Sequence, residues 1–523
     1  MSTPSLSNVD LAVIAVYLVI VSYIGLRAAR RTHSGADLFL AGRRLGWLPI
    51  GFSLFATNIS STTLIGLSGA AYTWGIAVSN YEWMAAFVLV FFAVFLIPSY
   101  LNARITTVPE FLERRFDRRS RLYFSALTLF SNIVVDTAGT LFAGAMVIQI
   151  FYPDVDLFVA CTGLALVAGL YTAAGGLAAV VYTDVLQALV LLLGSCLVAY
   201  FSFAQVDFSW AAIAANTAPE KLSLMLPIDD PNLPWLGTLV GVPILGFYFW
   251  CTNQFVVQRV LGARSIAEAR WGARVAGLLK LPVLYIMVMP GVMAAMILPP
   301  LDNADAVFPT LVTTLLPAGL VGLVMAGLLA AIMSSIDSTL NAASALLTMD
   351  FLDPERRGWS ATRVAWVGRG FIVLFMLLAA SISPLIADFP GLFHYLQSAL
   401  AYLVPPVAVV FIVGLFWRRA SATGAFATLL GGHLVSAVLF VLSQRDLLSL
   451  HFTLIAGLST LASTLIFLAV GRFGSSPSVE QMQRFTFNSA TMDRQPALAW
   501  WQDYRLYAGA LTLLTILLVV AHA

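Results

Sequence analysis

Charge is what this chain has least of. Acidic and basic residues together make up 10% of its 523 residues, the formal net charge is +2, and hydrophobic residues supply 60%. With a mean hydropathy of +0.90, a water-soluble globular domain is excluded, since such domains carry about 25% charged residues. The chain reads as a membrane protein. So few scattered cations form no basic face for a nucleic acid. Cysteine is scarce too: Cys161, Cys196 and Cys251 all sit in apolar runs. They offer no disulfide framework and no metal-ligand spacing, and read as small buried hydrophobes. The five histidines are dispersed and form no metal pair. Long polar connections are missing as well. The largest, 204–234 and 472–502, are too short to fold into a soluble catalytic domain. No enzyme is expected, and the work of the protein must be done between its membrane spans.

Apolar runs are what the chain has in abundance. Fourteen reach spanning length, near residues 9–29, 47–70, 79–102, 121–149, 157–177, 181–203, 235–259, 274–299, 311–347, 362–383, 391–416, 421–442, 450–471 and 503–522. Arginines set their direction. Arg27, Arg30, Arg31, Arg43 and Arg44 follow the first run, and Arg104, Arg114, Arg115, Arg118, Arg119 and Arg121 follow the third. Alternate loops keep the bias with Arg259, Arg264, Arg270, Arg274, Arg356, Arg357, Arg363, Arg418, Arg419, Arg472, Arg484, Arg494 and Arg505. Such loops face the cytoplasm. The opposite loops hold only Lys221 and Arg445 as cations and collect Asp154, Asp156, Asp207, Asp229, Asp230, Asp302 and Asp305. Both termini are then expected outside, with the chain crossing the plasma membrane many times. The first run does not read as a cleaved signal peptide, because its arginines follow it rather than precede it.

A charge at bilayer depth is tolerated only where it faces protein or water, so Glu82, Asp136, Asp184, Lys280 and Asp337 stand out. Lys280 is the sharpest, because Lys221 is the only other lysine. Its competing reading is a side chain snorkelling to the interface near Arg274. Glu82 reads equally well as an interfacial carboxylate, and Asp136 as a hydrogen-bonded core acid.

The stretch SLFATNISSTTLIG packs Ser53, Thr57, Asn58, Ser60, Ser61, Thr62 and Thr63 into an apolar run preceded by Pro49 and ending in GLSG. A second run, 235–259, contains GVPILGFYFW with Pro243 and Gly246. Glycine and proline open the backbone ladder, and at membrane depth the freed groups survive only where they line a cavity. These interrupted runs are the second and the seventh, so with the first run set aside each opens a unit of five. An odd number of crossings turns the second unit upside down, the inverted-repeat arrangement whose site lies at the midplane. The expected organisation is a single all-α membrane domain, 1–523, with an extra helix and loop at 1–46, repeats at 47–203 and 235–416, and extra helices at 421–523. The hydroxyls read either as interhelical glue or as the lining of a polar site, and seven beside a break favour the site.

A third stretch, AAIMSSIDSTLN, puts Ala331, Ser334, Ser335 and Ser338 at i, i+3, i+4 and i+7 on one helix face, with Asp337 beside it. Hydroxyls, freed carbonyls and a carboxylate are the oxygens a hard monovalent cation takes. Sodium is the expected ion, and Asp184, in VVYTDVLQALV, brings a second carboxylate from another run. Small-residue packing is the competing reading for the serines. An intramembrane aspartyl protease is set aside, because no Gly-x-Gly-Asp signature surrounds Asp184 or Asp337.

These residues resemble the sodium/solute symporters, specifically the sodium/glucose cotransporter branch. The likeness is carried by DLFLAGRRLGWLPIGFSLFATNIS, YTAAGGLAAVVYTDVLQ, WCTNQFVVQRVLGARS, KLPVLYIMVMPG, FPTLV, MSSIDSTLNAASALLTMD and YLVPPVAVVFIVGLFWRR, and covers about residues 35–420. It implies a leucine-transporter-type 5+5 inverted repeat with about fourteen transmembrane helices. It also implies a main sodium site made by the carbonyls of Ala56, Ile59 and Ala331 with the hydroxyls of Ser334 and Ser335, and a candidate second sodium at Asp184, Asp337 and Ser338. Asp337 stands where a hydroxyl is usual, so it either strengthens that second site or takes a proton instead. For the solute the resemblance implies Asn58, Glu82, Trp250, Lys280 and Gln397, a set of donors, acceptors and an aromatic face suited to a neutral polyhydroxylated ligand. Two positions depart from the pattern: Thr63 replaces a His or Gln, which shifts preference among sugars, polyols or sugar acids, and Phe249 replaces a gating tyrosine. The expected function is sodium-driven import of a sugar-like solute by alternating access. Proton coupling, a sugar sensor and a channel on the same fold are the alternatives.

Overall fold

A bilayer offers no partner to a bare peptide group, so a chain this apolar must satisfy its backbone within helices. The computed structural model describes residues 6–29, 35–388, 392–487 and 503–523, and among these the only β pairings are two isolated bridges, Leu45 with Ala263 and Leu226 with Pro234. Ten helices are long and apolar enough to span a membrane, and two pairs bent by 44° and 52° bring the number to twelve.

The helices that matter for function are these, in chain order. Trp47–Asn58 is α1 and Ser61–Trp74 is α2. Ser79–Phe91 is α3, Arg118–Ser131 is α4, and a π turn at Asn132–Thr137 leads from α4 into Ala138–Phe151, α5. Leu157–Ala204 is α6. Val242–Phe247, α7, runs through a π turn at Tyr248–Thr252 to Gln254–Leu261, α8. Ile266–Lys280 is α9, and Leu320–Ala345, α10, ends in a π turn at Leu346–Phe351. Leu392–Leu403 is α11, bent by 52° against Pro405–Phe416, α12.

The break expected in the first repeat is present. Ile59 (φ −81°, ψ 71°) and Ser60 (φ −85°, ψ 177°) leave the helical region, so one span is divided into α1 and α2. Ser60 restarts the helix by accepting from the Thr63 amide at 3.4 Å, the usual work of an N-cap hydroxyl. The second repeat is interrupted as well: a turn at Gly241, just ahead of Pro243, separates Trp235–Val240 from α7, and a full break follows further on. Pro243 sits in the first turn of α7, where its missing N–H costs nothing, and the chain leaves the helix at Asn253 (φ −69°, ψ 125°), whose side chain caps α8 through the Phe255 amide.

One further difference concerns the count of spans. Residues 157–204 form one unbroken helical run of 48 residues, where the sequence leads one to expect separate spans at 157–177 and 181–203. The expected separation of 47–70 from 79–102 is present, with α2 and α3 divided by a short turn at Gly75–Val78. Gly75 turns with φ +81°, and a β carbon there would sit 2.2 Å from the Lys221 carbonyl oxygen, so only glycine fits. In the assembled bundle α1 packs against α6 and α9, and α10 packs against α6, α8 and the π turn that follows α4. The two helix breaks and the serine pair of α10 thereby meet inside the protein.

Candidate functional site

The cavity between the two broken helices is lined by Asn58, Thr63, Glu82, Phe249, Trp250 and Gln397, six of the seven residues singled out for the solute. The seventh, Lys280, closes α9 directly behind this wall. It is fully buried, and its ammonium donates to Asn58 Oδ1 and to Glu82 Oε2. It also lies 5.5 Å from the Trp250 ring centroid and 5.6 Å from that of Phe55, within range of a cation–π attraction. The snorkelling reading of Lys280 and the interfacial reading of Glu82 are therefore both displaced. The two form a buried pair that fixes the Asn58 amide and the Trp250 ring at the cavity wall. A carboxylate, two carboxamides, a hydroxyl and an aromatic face are brought to one space, and Phe249 stands edge-on to Trp250 with centroids 5.1 Å apart.

The lining also includes Asp136, singled out above only as a charge at bilayer depth, and Thr140, Tyr81 and Phe393. Tyr81 and Phe393 pack edge to face at 5.2 Å, and Phe393 also meets Trp74 at 5.8 Å. Asp136 lines this cavity, and its Oδ2 atom makes no hydrogen bond to a described protein atom. A carboxylate in an otherwise apolar run was the signal for it. The aromatic pair carries no sequence signal that separates it from core packing.

At the break itself, α1 ends and its last carbonyls lose their helical donors, as at any helix C-terminus. The Ile59 amide still reaches the Phe55 carbonyl at 2.9 Å. Beyond it the pattern changes: the Asn58 carbonyl accepts from the Thr63 hydroxyl at 2.5 Å, and the Thr63 amide turns to the Ser60 hydroxyl, away from the Ile59 carbonyl. Ser60 and Thr63 are thus spent on stitching the break. Thr57 donates to the Ser53 carbonyl at 2.6 Å, while the side chains of Ser61 and Thr62 lie outside the described set. From α10, Ala331, Ser334 and Ser335 are all buried, and the Ser335 hydroxyl has no hydrogen-bond partner among the described residues. A buried orphan hydroxyl lining the same cavity as Asn58 and Ser60 fits a cation that takes oxygen ligands.

The candidate second site holds something the sequence reading missed. Asp184 and Ser338 are brought together, but Arg259 stands with them. Its guanidinium donates to Asp184 Oδ2 at 3.1 Å, to Ser338 Oγ at 2.6 Å, to Ser53 Oγ at 2.6 Å and to the Phe255 carbonyl. Ser53 and Ser334 donate to the two oxygens of Asp184. Arg259 and Asp184 are both fully buried, which corrects the placement of Arg259 among the cytoplasmic-loop arginines. The break at Asn253 carries α8 back into the protein, and Arg259 lies on that half-helix. Asp337 is buried one position before Ser338.

Comparison with known proteins gives the family and the fold. A family model described as the sodium:solute symporter family matches residues 38–432. Over 539 residues the chain is 35% identical to the sodium/myo-inositol cotransporter 2 of Mus musculus, covering 92% of this chain and 79% of that protein. It is 34% identical to the sodium/glucose cotransporter 1 of Oryctolagus cuniculus, covering 82% and 71%. Among solved structures, a Na+-coupled sialic acid symporter in a substrate-bound outward-open state superposes with a TM-score of 0.79 over 90% of this chain and 99% of that one, at 23% identity. The shared fold is the leucine-transporter type, and the chain belongs to the sodium:solute symporter family.

Proposed function

We propose that the protein is a sodium-coupled symporter that imports a neutral polyhydroxylated solute, a sugar or cyclic polyol, across the plasma membrane with its arginine-rich face toward the cytoplasm. The observation that carries this reading is the meeting of Asn58, Glu82, Trp250 and Gln397 around one cavity, backed by Lys280 and adjoining a broken helix. Relatives named for myo-inositol and glucose support the solute class. Sodium is held by the carbonyls of Ala56, Ile59 and Ala331 and the hydroxyls of Ser334 and Ser335. It bridges α1 to α10 and so orders the cavity before the solute arrives. Solute binding closes Phe249 and Trp250 against it, and the two repeats rock to expose the site on the other face. A potential of about 100 mV supplies roughly 2.3 kcal/mol per sodium, which sustains about fifty-fold accumulation at one ion per solute. A second sodium at Asp184, Asp337 and Ser338 requires the Arg259 guanidinium to leave Asp184 and Ser338 first.

The test is a panel of labelled solutes, including myo-inositol, glucose and a sugar acid, in proteoliposomes with an inward sodium gradient, with a pH gradient alone, and with neither. Uphill accumulation with sodium alone is the expected result. Accumulation driven by pH without sodium contradicts sodium coupling, and binding without accumulation points to a sensor. Removing one of the five sodium oxygens by Ser335→Ala is expected to raise the half-saturating sodium concentration about tenfold or more, since a bond to a charged partner is worth roughly 1.5–3 kcal/mol. The half-saturating solute at high sodium should hardly move. Gln397→Ala is expected to do the reverse, raising half-saturating solute about five- to tenfold for a neutral hydrogen bond. Uptake curves in each ligand read both effects.

A further inference from the structure

Two buried arginines of α9 take no part in the cavity or in either candidate ion site. Arg270 and Arg274 stand four residues apart on one face of the helix, and they are 3% and 7% exposed. Arg270 donates from Nε to the Ala93 carbonyl at 2.9 Å. Arg274 has no hydrogen-bond partner at any of its three side-chain nitrogens among the described residues. Both guanidinium groups lie over the ring of Tyr504, at 4.0 Å and 5.5 Å from its centroid. Arg274 also lies over Trp271 at 4.7 Å and over Tyr507 at 5.8 Å. The two tyrosines belong to the last helix, Tyr504–Ala521, α13, which packs against α3 and α9.

Aromatic faces answer only part of what these side chains need. A ring attracts the charge of a guanidinium stacked on it, but the N–H groups point outward in the plane and still lack acceptors. Arginine stays charged inside a protein, and two like charges one turn apart repel. Asp503, one position ahead of α13, bonds the Arg505 amide at 2.9 Å and reaches no nitrogen of Arg274. Buried polar groups are almost always paired, so three orphan nitrogens on a permanent cation call for an anion. A rivet between α9 and α13 accounts for the stacking and leaves those nitrogens unexplained. Their depth says what kind of anion. With Lys280 at the cavity wall, Arg274 lies about 9 Å and Arg270 about 15 Å further along α9 at 1.5 Å per residue, toward the arginine-rich face. Half the hydrocarbon core is about 15 Å, so the pair sits just inside the level of lipid phosphates. Tyr507 and Leu278, which flank it, are exposed on the outer surface of the bundle.

We infer that Arg274 and Arg270, walled by Trp271, Tyr504 and Tyr507, bind the phosphate of an anionic phospholipid from the leaflet on the arginine-rich face. Guanidinium forks take phosphate oxygens in paired bonds, and basic pockets between spans on the cytoplasmic side hold anionic headgroups. The bound phosphate neutralises the two arginines and ties α13 to the helix that ends in Lys280. Free phosphate shares this chemistry, but the exposed Tyr507 and Leu278 beside the pair suit the glycerol and acyl chains of a lipid. The inference does not depend on the symport reading.

The full chain, purified in a neutral detergent and stripped of lipid, tests it. Phosphatidylglycerol, phosphatidylcholine and inorganic phosphate are offered in turn, native mass spectrometry counts the molecules retained, and thermal melting reads stabilisation. One phosphatidylglycerol retained per chain, with a rise in melting temperature that neither phosphatidylcholine nor inorganic phosphate produces, is the expected result. Arg274→Met is expected to weaken retention about tenfold or more, since bonds to a charged partner are lost. Arg264→Met, which removes an exposed arginine paired with Glu268 just ahead of α9, should retain lipid as the wild type does. Equal retention in the wild type and Arg274→Met overturns the site. Stabilisation by inorganic phosphate without retained lipid overturns the lipid as its source. If Arg274→Met does not fold, a photoreactive phosphatidylglycerol added to the wild type decides: adducts within 266–280 and 504–521 are expected, and adducts confined to other helices overturn the proposal.

Discussion

Arg259→Met is expected to abolish sodium-driven uptake and to lower the yield of folded protein sharply. The guanidinium is fully buried, and each of its three nitrogens donates, to Asp184, Ser338, Ser53 or the Phe255 carbonyl. Removing it leaves Asp184 buried without its cation, and breaking one side of a buried ion pair costs about 3–5 kcal/mol. Asp184→Leu alone is expected to do comparable damage from the other side. The double variant, Asp184→Leu with Arg259→Met, should recover most of the folded yield, because an apolar pair of similar size often replaces a buried ion pair at little cost. It should not recover normal sodium dependence, since Ser334 then loses the acceptor that orients its hydroxyl. Thermal melting and uptake on all four proteins close the cycle. Single variants that melt and transport like wild type contradict the pairing.

Lys280→Met carries the second large effect, and it falls on the solute. The ammonium serves Glu82 and Asn58 at once from a fully buried position. Without it the Glu82 carboxylate faces the cavity uncompensated and the Asn58 amide is free to turn. Two bonds to a charged donor are lost, and the half-saturating solute concentration is expected to rise about a hundredfold. Sodium dependence should shift far less, because the Ser335 hydroxyl and the carbonyls at the break make no bond to Lys280. Adding Glu82→Gln should restore part of the affinity by removing the stranded charge. Uptake curves in solute and sodium for the three proteins separate the two ligands. Equal shifts in both would mean that Lys280 holds up the fold rather than the solute wall.

How much of this was legible in the sequence depended on whether the signal was chemical or positional. The broken first helix was legible, because a dense run of hydroxyls inside an apolar segment has few other uses, and Ser60, Thr63 and Asn58 are spent on that break. Lys280 and Glu82 were legible for the same reason: charge at depth needs a partner, and each turned out to be the other's. Arg259 was not. Counting arginines by chain position puts it in a loop, and only the extended Asn253 backbone returns it to the interior. The second break was legible in part, since glycine and proline mark the interruption at Gly241, while only the Asn253 side chain marks where the chain leaves the helix. The joining of 157–177 and 181–203 into one helical run was also not legible, because the Gly-rich stretch between them reads as a turn by composition. Asp136 was visible as an anomaly, yet a lone carboxylate in a span does not say whether it faces core or cavity.

The account stands or falls on sodium being bound where α1 breaks and α10 presents its serine pair. Equilibrium binding of radiolabelled sodium to the purified protein, without solute, tests this directly when wild type is compared with the Ser334→Ala/Ser335→Ala double variant. Saturable binding in wild type that is lost or weakened about a hundredfold in the variant, two charge-assisted contacts having gone, is the predicted result. Sodium binding of equal strength in the two proteins would place the ion elsewhere and contradict the account.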